Sequence, residues 1–227
     1  FWASSALYRL TRKAVYLEDA RQYQSQRFST PSWGNVSALG TFEWMADDEL
    51  RATDDGLLMQ TQVLAYCEDA VKEVGTSCFQ SPFGNNPRNF GWGCLAENCC
   101  CQAFVLLYAD LLIGTTKYRR YALQNADYLL GRNATGYCYV TGFGDKSPMH
   151  PHHRISEADN VEAPFPGMLV GGPNPGQQDK RDMKAAVYPS NYPDESYIDN
   201  MESYASNEIA INWNASLVAF LCYLDAL

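Results

Sequence analysis

All three histidines of this chain fall within four residues, His150-Pro151-His152-His153, and Arg154 follows directly. They close a Gly- and Pro-containing stretch that runs from Tyr139 to Arg154. Ordering imidazole and guanidinium groups in a stiff loop is costly, and loops of this kind usually hold a ligand or orient a catalytic group. A second dense segment, Tyr197 to Ala215, sets Asp199, Glu202 and Glu208 among Tyr204, Asn207, Trp213 and Asn214. Carboxylates, aromatic rings and amides together suit a neutral polyhydroxylated ligand. The rings stack on C–H faces, and a carboxyl can also transfer a proton.

Each group has a plainer reading beside the chemical one. Glu208 precedes an apolar stretch with helical spacing, so it is expected in the first turn of a final helix, capped by Ser206 or Asn207. Partial burial there would raise its pKa and make it an acid, whereas the helix N-terminus favours the anion. The plainer reading is a glutamate that merely complements the helix dipole. His152 and Arg154 suit sugar hydroxyls. The alternatives are a metal site on His150, His152 and His153, or an Arg–carboxylate pair bracing the loop. The proline inside the cluster stiffens it against wrapping an ion. Asp199 and Glu202 are either cleft wall or solvated loop charges. Trp33, Trp92 and Trp213 are either platforms for sugar rings or core.

The elements that must position these groups are mostly helical. Apolar residues recur at helical spacing over residues 1–10, 16–23 and 57–74, then over 106–130 with a glycine stop at Gly114, and from Glu208 to the end. The units around Leu7–Ala20 and Leu107–Ala122 are loosely alike, which suggests a helical array or toroid. Between residues 131 and 206 the helical pattern stops and eight of the prolines gather; the aromatic content argues that this long segment is ordered.

Composition narrows the partners. The chain has 227 residues, 46% hydrophobic and 19% charged, which is a folding composition. A net charge of −9 argues against nucleic acid or an anionic membrane as partner. The most apolar run, Phe104 to Leu112, is too short to span a bilayer and contains Asp110. No signal peptide opens the chain. The eight cysteines match no zinc spacing; Cys99-Cys100-Cys101 read as small buried residues, and one bridge, Cys67 to Cys78, is left open.

The two dense segments resemble the two signature segments of glycoside hydrolase family 9, the inverting β-1,4-glucanases. Supporting stretches agree: Trp92-Gly93 ahead of a long helix, residues 126–131 before the first signature, and residues 166–174 after it. Residues 31–36 are similar to members that carry an immunoglobulin-like domain ahead of the catalytic one. The resemblance implies an all-α (α/α)6 barrel. It makes Glu208 the general acid, with Asp199, the aspartate of the second signature, beside it in the catalytic set. His152 and Arg154 would bind sugar at the cleavage subsite, Trp213 would lie near the acid, and Trp33 and Trp92 would be platforms. It implies no cofactor and no catalytic metal, calcium at most as a loop brace, a β-glucan polysaccharide or oligosaccharide as substrate, and secretion.

One departure matters. The family's general base lies in an Asp-Ala-Gly-Asp segment of the N-terminal half, and this chain has none; Asp47-Asp48 and Asp54-Asp55 have the wrong surroundings. Family domains are nearly twice as long with twelve helices, against six or seven here. Residues 1–227 are therefore expected to be the C-terminal part of one catalytic domain, with the N-terminal half as its partner and with apolar stripes left uncovered. The rival expectation is a non-catalytic carbohydrate-binding fragment.

Overall fold

The computed structural model describes residues 1–226 apart from residues 73 and 185. Its frame is a set of antiparallel helices: α1 (Trp2–Thr11), α2 (Ala14–Tyr23), α3 (Ser37–Met45), the one-turn α4 (Asp48–Arg51), α5 (Asp54–Lys72), α6 (Cys101–Ile113) and α7 (Arg119–Leu129). Short α8 (Arg154–Ala158) and α9 (Tyr204–Asn207) interrupt the long loop region, and α10 (Ile211–Asp225) closes the described chain. Among the described residues, seven helices are longer than two turns, matching the expected six or seven. The end of the stretch expected at 57–74 includes residue 73, which lies outside the described residues.

Local sequence explains the joints. Arg12 takes a left-handed conformation (φ 54°) and its amide caps α1 on the Tyr8 carbonyl, so α2 can fold back on α1. Gly114 does the same for α6, as its position predicts. Asp110 is not an interruption of α6. Its buried carboxylate accepts from the backbone amides of Tyr118 and Arg119 and from the Thr115 hydroxyl, so it caps the next helix from the end of the previous one.

α6 is the central element, packed by α5, α7 and α10. With the turn before it, it forms an apolar run from Leu95 to Ile113, long enough by length and composition to cross a membrane and thus longer than the run read from sequence. Most of that run is buried, including Val105, Leu106 and Ala109, which identifies it as a core helix. Cys99, Cys100 and Cys101 are buried in it as small core residues. All eight cysteines are free thiols, with Cys67 buried and Cys78 at the surface, so the Cys67–Cys78 bridge is not formed. A smaller core of Ala20, Trp44, Met45, Leu50 and Met59 holds the first four helices to α5.

An apolar trough of about 420 Å³ runs between residues 31–36, α3 (Leu39, Phe42), α6 (Cys101, Phe104) and α10 (Ala215, Ala219). Ile211 and Val218 of α10 are exposed at 93% and 58%. They leave an apolar stripe uncovered along α10.

Candidate active site

The loop region converges on one short strand-like link. Glu208 is not in the first turn of the last helix. It follows α9 in extended conformation (φ −71°, ψ 150°), and α10 begins three residues later with Ala210 as its N-cap. The reason is that the backbone of residues 206–209 is claimed from both sides. On one side the His152 amide donates to the Asn207 carbonyl at 2.8 Å. On the other, the amides of Gly171 and Gly172 donate to the carbonyls of Glu208 and Ser206 at 3.1 and 2.8 Å. Residue pairs His152–Glu208 and Val170–Ile209 form isolated bridges, parallel and antiparallel. These bonds point the three carbonyls sideways to residues 152, 171 and 172 and hold the link in extended backbone instead of helix. Ser203 caps α9, accepting from the Ser206 amide, so neither Ser206 nor Asn207 caps the last helix.

Asn207, fully buried, is the hub of the histidine loop. Its Nδ2 donates to the His150 carbonyl (2.7 Å) and to Asp199 Oδ1 (3.2 Å), and its Oδ1 accepts from the Tyr197 hydroxyl (2.6 Å). Burial, then the nearby Asp199 charge, pushes the Tyr197 phenol far above its ordinary pKa, so it stays an O–H donor. Asp199, expected among the catalytic groups, accepts from the Met149 amide at 2.7 Å and the His150 amide at 2.9 Å. Each oxygen receives one loop amide, so Asp199 holds the histidine loop in place.

The three histidines part company. His150 is exposed and holds the loop through its backbone. His152, half-buried, sets Nδ1 2.6 Å from the Met201 carbonyl. A carbonyl only accepts, so Nδ1 carries the proton and Nε2 is free for another partner. His153 caps α8 through its ring. Arg154 opens α8 with its side chain exposed. Among the described residues no three or more His, Cys, Asp or Glu side chains are grouped so that they could hold a metal ion.

Glu208 opens onto a cavity of about 530 Å³ shared with Trp33, Gly34, Trp92, Glu97, Ala210, Asn212 and Trp213. The structure thus brings Glu208 and all three tryptophans to one cleft. Trp33 and Trp92 present their rings to solvent, at 86% and 43% exposure. Trp213 is only 4% exposed, so it is a wall and not a free platform. Gly93 packs on its indole: with φ +65°, an added Cβ would stand 2.4 Å from Nε1. Trp92 lies beside Tyr204 (ring centroids 5.8 Å apart), and Tyr204 lies beside His152 (6.0 Å), so an aromatic wall joins the tryptophans to the histidine loop.

The Glycosyl hydrolase family 9 profile matches residues 1–221. The chain belongs to glycosyl hydrolase family 9. It is 50% identical over 230 residues to a xyloglucan-specific endo-beta-1,4-glucanase of Bacteroides ovatus, covering all of this chain and 38% of that relative. A cellodextrinase of Butyrivibrio fibrisolvens is 31% identical, with 96% of this chain and 42% of that relative covered. Among solved structures, a Bacteroides ovatus family 9 protein superposes with a TM-score of 0.87 at 46% identity, over 99% of this chain and 39% of the other. AaCel9A in complex with cellobiose-like isofagomine gives 0.85 at 31%, over 100% and 42%. The chain therefore spans about two fifths of the length of these relatives. Their fold is the (α/α)6 barrel, and the all-α array here is part of one.

Two groups that support this site went unread in the sequence. Glu97 sits in a π-helical turn, Leu95–Cys100, inside an apolar run where nothing marks it. Asp179 is fully buried and accepts from Tyr188 Oη (2.9 Å), Ser203 Oγ (2.8 Å) and the Ala205 amide (2.7 Å), tying down the start of α9. Burial, the largest influence, pushes Tyr188 up to about 12, so it remains a donor.

Proposed function

We propose that this chain carries the acid side of the active site of an inverting β-1,4-glucanase. The observation that supports this most is the clamping of the Glu208 backbone between His152 of the first signature segment and residues 170–172, at a cleft lined by Trp33, Trp92 and Trp213. Glu208 protonates the leaving glycosidic oxygen. His152, through Nε2, and Arg154 bind hydroxyls of the sugar being cleaved, while Trp33 and Trp92 stack neighbouring rings. The base that activates water is an aspartate from an N-terminal half of the same catalytic domain, which also covers the apolar trough beside α10. In an inverting site the two carboxyls stand about 6.5–9.5 Å apart, leaving room for water between base and sugar. This reaction needs two carboxylates and no cofactor. The polymer is too large to enter a cell, which favours secretion of the enzyme.

Among β-1,4-glucans, the 50% identity to a xyloglucan-specific enzyme favours xyloglucan as substrate over unsubstituted cellulose. The test is Glu208→Gln in the full-length enzyme. Polymer hydrolysis should fall about 10²–10⁴-fold with binding retained, and an activated aryl glycoside, whose leaving group needs less protonation, should lose much less. Equal losses on both substrates would remove Glu208 from the acid role. A parent enzyme that binds glucan without cleaving it would favour the carbohydrate-binding alternative.

A further inference from the structure

Trp33 offers its ring to the cleft at 86% exposure, so packing does little to fix it. Its turn is closed on itself: the Ser32 and Asn35 backbones exchange hydrogen bonds at 2.8 and 3.3 Å, and the Asn35 amide also donates to Ser32 Oγ at 3.1 Å. None of these bonds ties the Trp33 end of the turn to the helical body. Glu97 does. Its Oε1 accepts from the Trp33 amide at 2.8 Å, across 64 residues of sequence.

The position of Glu97 gives this single bond reach. It lies in the π-helical turn that follows Trp92-Gly93, and its own amide donates to the Gly93 carbonyl at 3.0 Å. Gly93 in turn packs on the Trp213 indole. One wide turn therefore carries Trp92, seats Trp213 and anchors Trp33; π-helical turns of this kind often occur at functional sites. The Glu97 carboxylate is half-buried between the trough and the cleft, and among the described residues no basic side chain pairs with it. Half-burying a carboxylate without a cation is unfavourable, and an apolar side chain would fill the same space without that cost. What the carboxylate adds is a charge-assisted bond to a backbone amide, stronger than a neutral one.

We propose that Glu97 is a positioning residue for the platform Trp33, setting how tightly the cleft holds a glucan chain without taking part in bond cleavage. This rests on the reading of Trp33 as a sugar platform. A stacking ring held in place before the sugar arrives avoids the ordering cost at binding, so losing the anchor weakens binding of substrate and transition state alike. The expected signature is a rise in KM with kcat kept.

The test uses the full-length enzyme, a β-1,4-glucan hexasaccharide, and the variants Glu97→Ala, Glu97→Gln, Trp33→Ala and the Glu97→Ala/Trp33→Ala pair. Glu97→Ala and Trp33→Ala should each raise KM about tenfold, with kcat within about twofold of the parent. The paired variant should be no worse than Trp33→Ala, because the two act through one ring. Glu97→Gln should lose clearly less than Glu97→Ala, since its amide oxygen still accepts the Trp33 N–H through a weaker, neutral bond. Without any sugar, hydrogen exchange at the Trp33 amide should speed up most in Glu97→Ala and less in Glu97→Gln. Additive losses in the paired variant, a fall in kcat in place of a rise in KM, or Glu97→Gln as impaired as Glu97→Ala would each overturn the proposal. If Glu97→Ala does not fold, Glu97→Asp withdraws the acceptor by one methylene and must reproduce the Trp33→Ala rise in KM, or the proposal fails. A parent enzyme that neither binds nor cleaves the hexasaccharide would sink the glucanase reading itself, while amide exchange would still decide whether Glu97 anchors Trp33.

Discussion

The two sides of the cleft are built in different ways. The Glu208 side is loop, yet it is densely bonded: lateral backbone bonds on both edges of residues 206–209, the Asn207 hub, and Asp199 and Asp179 bracing the flanks. The tryptophan side stands on a helical turn whose backbone is bonded to residues 171 and 173, yet the Trp33 amide is held by a single side-chain bond and Trp213 is seated by glycine packing. The difference follows from what each side must do. A proton donor is useful only if its oxygen meets the glycosidic oxygen within hydrogen-bond reach. A stacking ring tolerates sliding along the sugar face. Perturbing the first side should act on kcat, and perturbing the second on KM.

The largest expected effect after loss of Glu208 itself comes from its bracing. Asn207→Ala removes the side-chain bond from α9 to the His150 carbonyl, and Asp199→Ala removes the acceptor of the Met149 and His150 amides; each should lower kcat about 100-fold, the order of loss that a misplacement near 1 Å produces. A change confined to KM would break the contrast between the sides. His152→Ala should follow, lowering kcat/KM about tenfold through the lost hydroxyl contact without unfolding the protein. Activity removed by chelators and restored by zinc would instead make the histidine cluster a metal site.

Gly93→Ala tests the tryptophan side. Its φ of +65° and the 2.4 Å approach to Trp213 mean that the indole must move. A loss of stability of about 1–3 kcal/mol is expected by urea denaturation, together with a higher KM for glucan. A kcat loss as large as that of Asn207→Ala would show that the two sides are one unit.

The smallest effect lies outside both sides and serves as a control. Glu68 is held below its ordinary pKa, first by its hydrogen bond to Lys117 and then by that to Tyr118. A depressed carboxylate stabilises the fold above its unfolded pKa and loses that contribution as pH falls through its folded value. Glu68→Gln should therefore lower Tm by no more than about 2 °C at pH 7, because the pair is largely exposed, and the gap should close on acidification below the ordinary glutamate range. A gap that widens on acidification would reverse the sign. Catalysis should not change at any pH.

How much was legible can be argued residue by residue. Gly114 as a helix stop, the buried Cys99–Cys101 run and the long helices were readable because each is a local property: a left-handed cap, an apolar spacing, a period of 3.6. Glu208 was readable as a candidate from its neighbours, but its backbone state was not. The apolar run after it looks helical from Glu208 onward, and only the lateral bonds from residues 152, 171 and 172 show why the helix must wait until Ile211. The charge of Asp199 is visible in the sequence, but the Met149 and His150 amides that face it are not. Glu97 and Asp179 carried no signal, since one hides in an apolar stretch and the other in a polar one.

The sequence by itself determined the helical character, the long helices apart from α3, and the two segments that carry the chemistry, because periodicity, caps and residue type are written in short windows. Only the tertiary structure decided which carboxylate opens onto the cleft and which braces a loop. It also decided which tryptophan is a ring for stacking and which is wall. Those distinctions rest on bonds between residues 50 or more positions apart, such as Glu97 to Trp33 and Asp199 to Met149, and on burial that depends on what lies across the cleft. A carboxylate has the same composition in either role; the donors that surround it decide which role it plays.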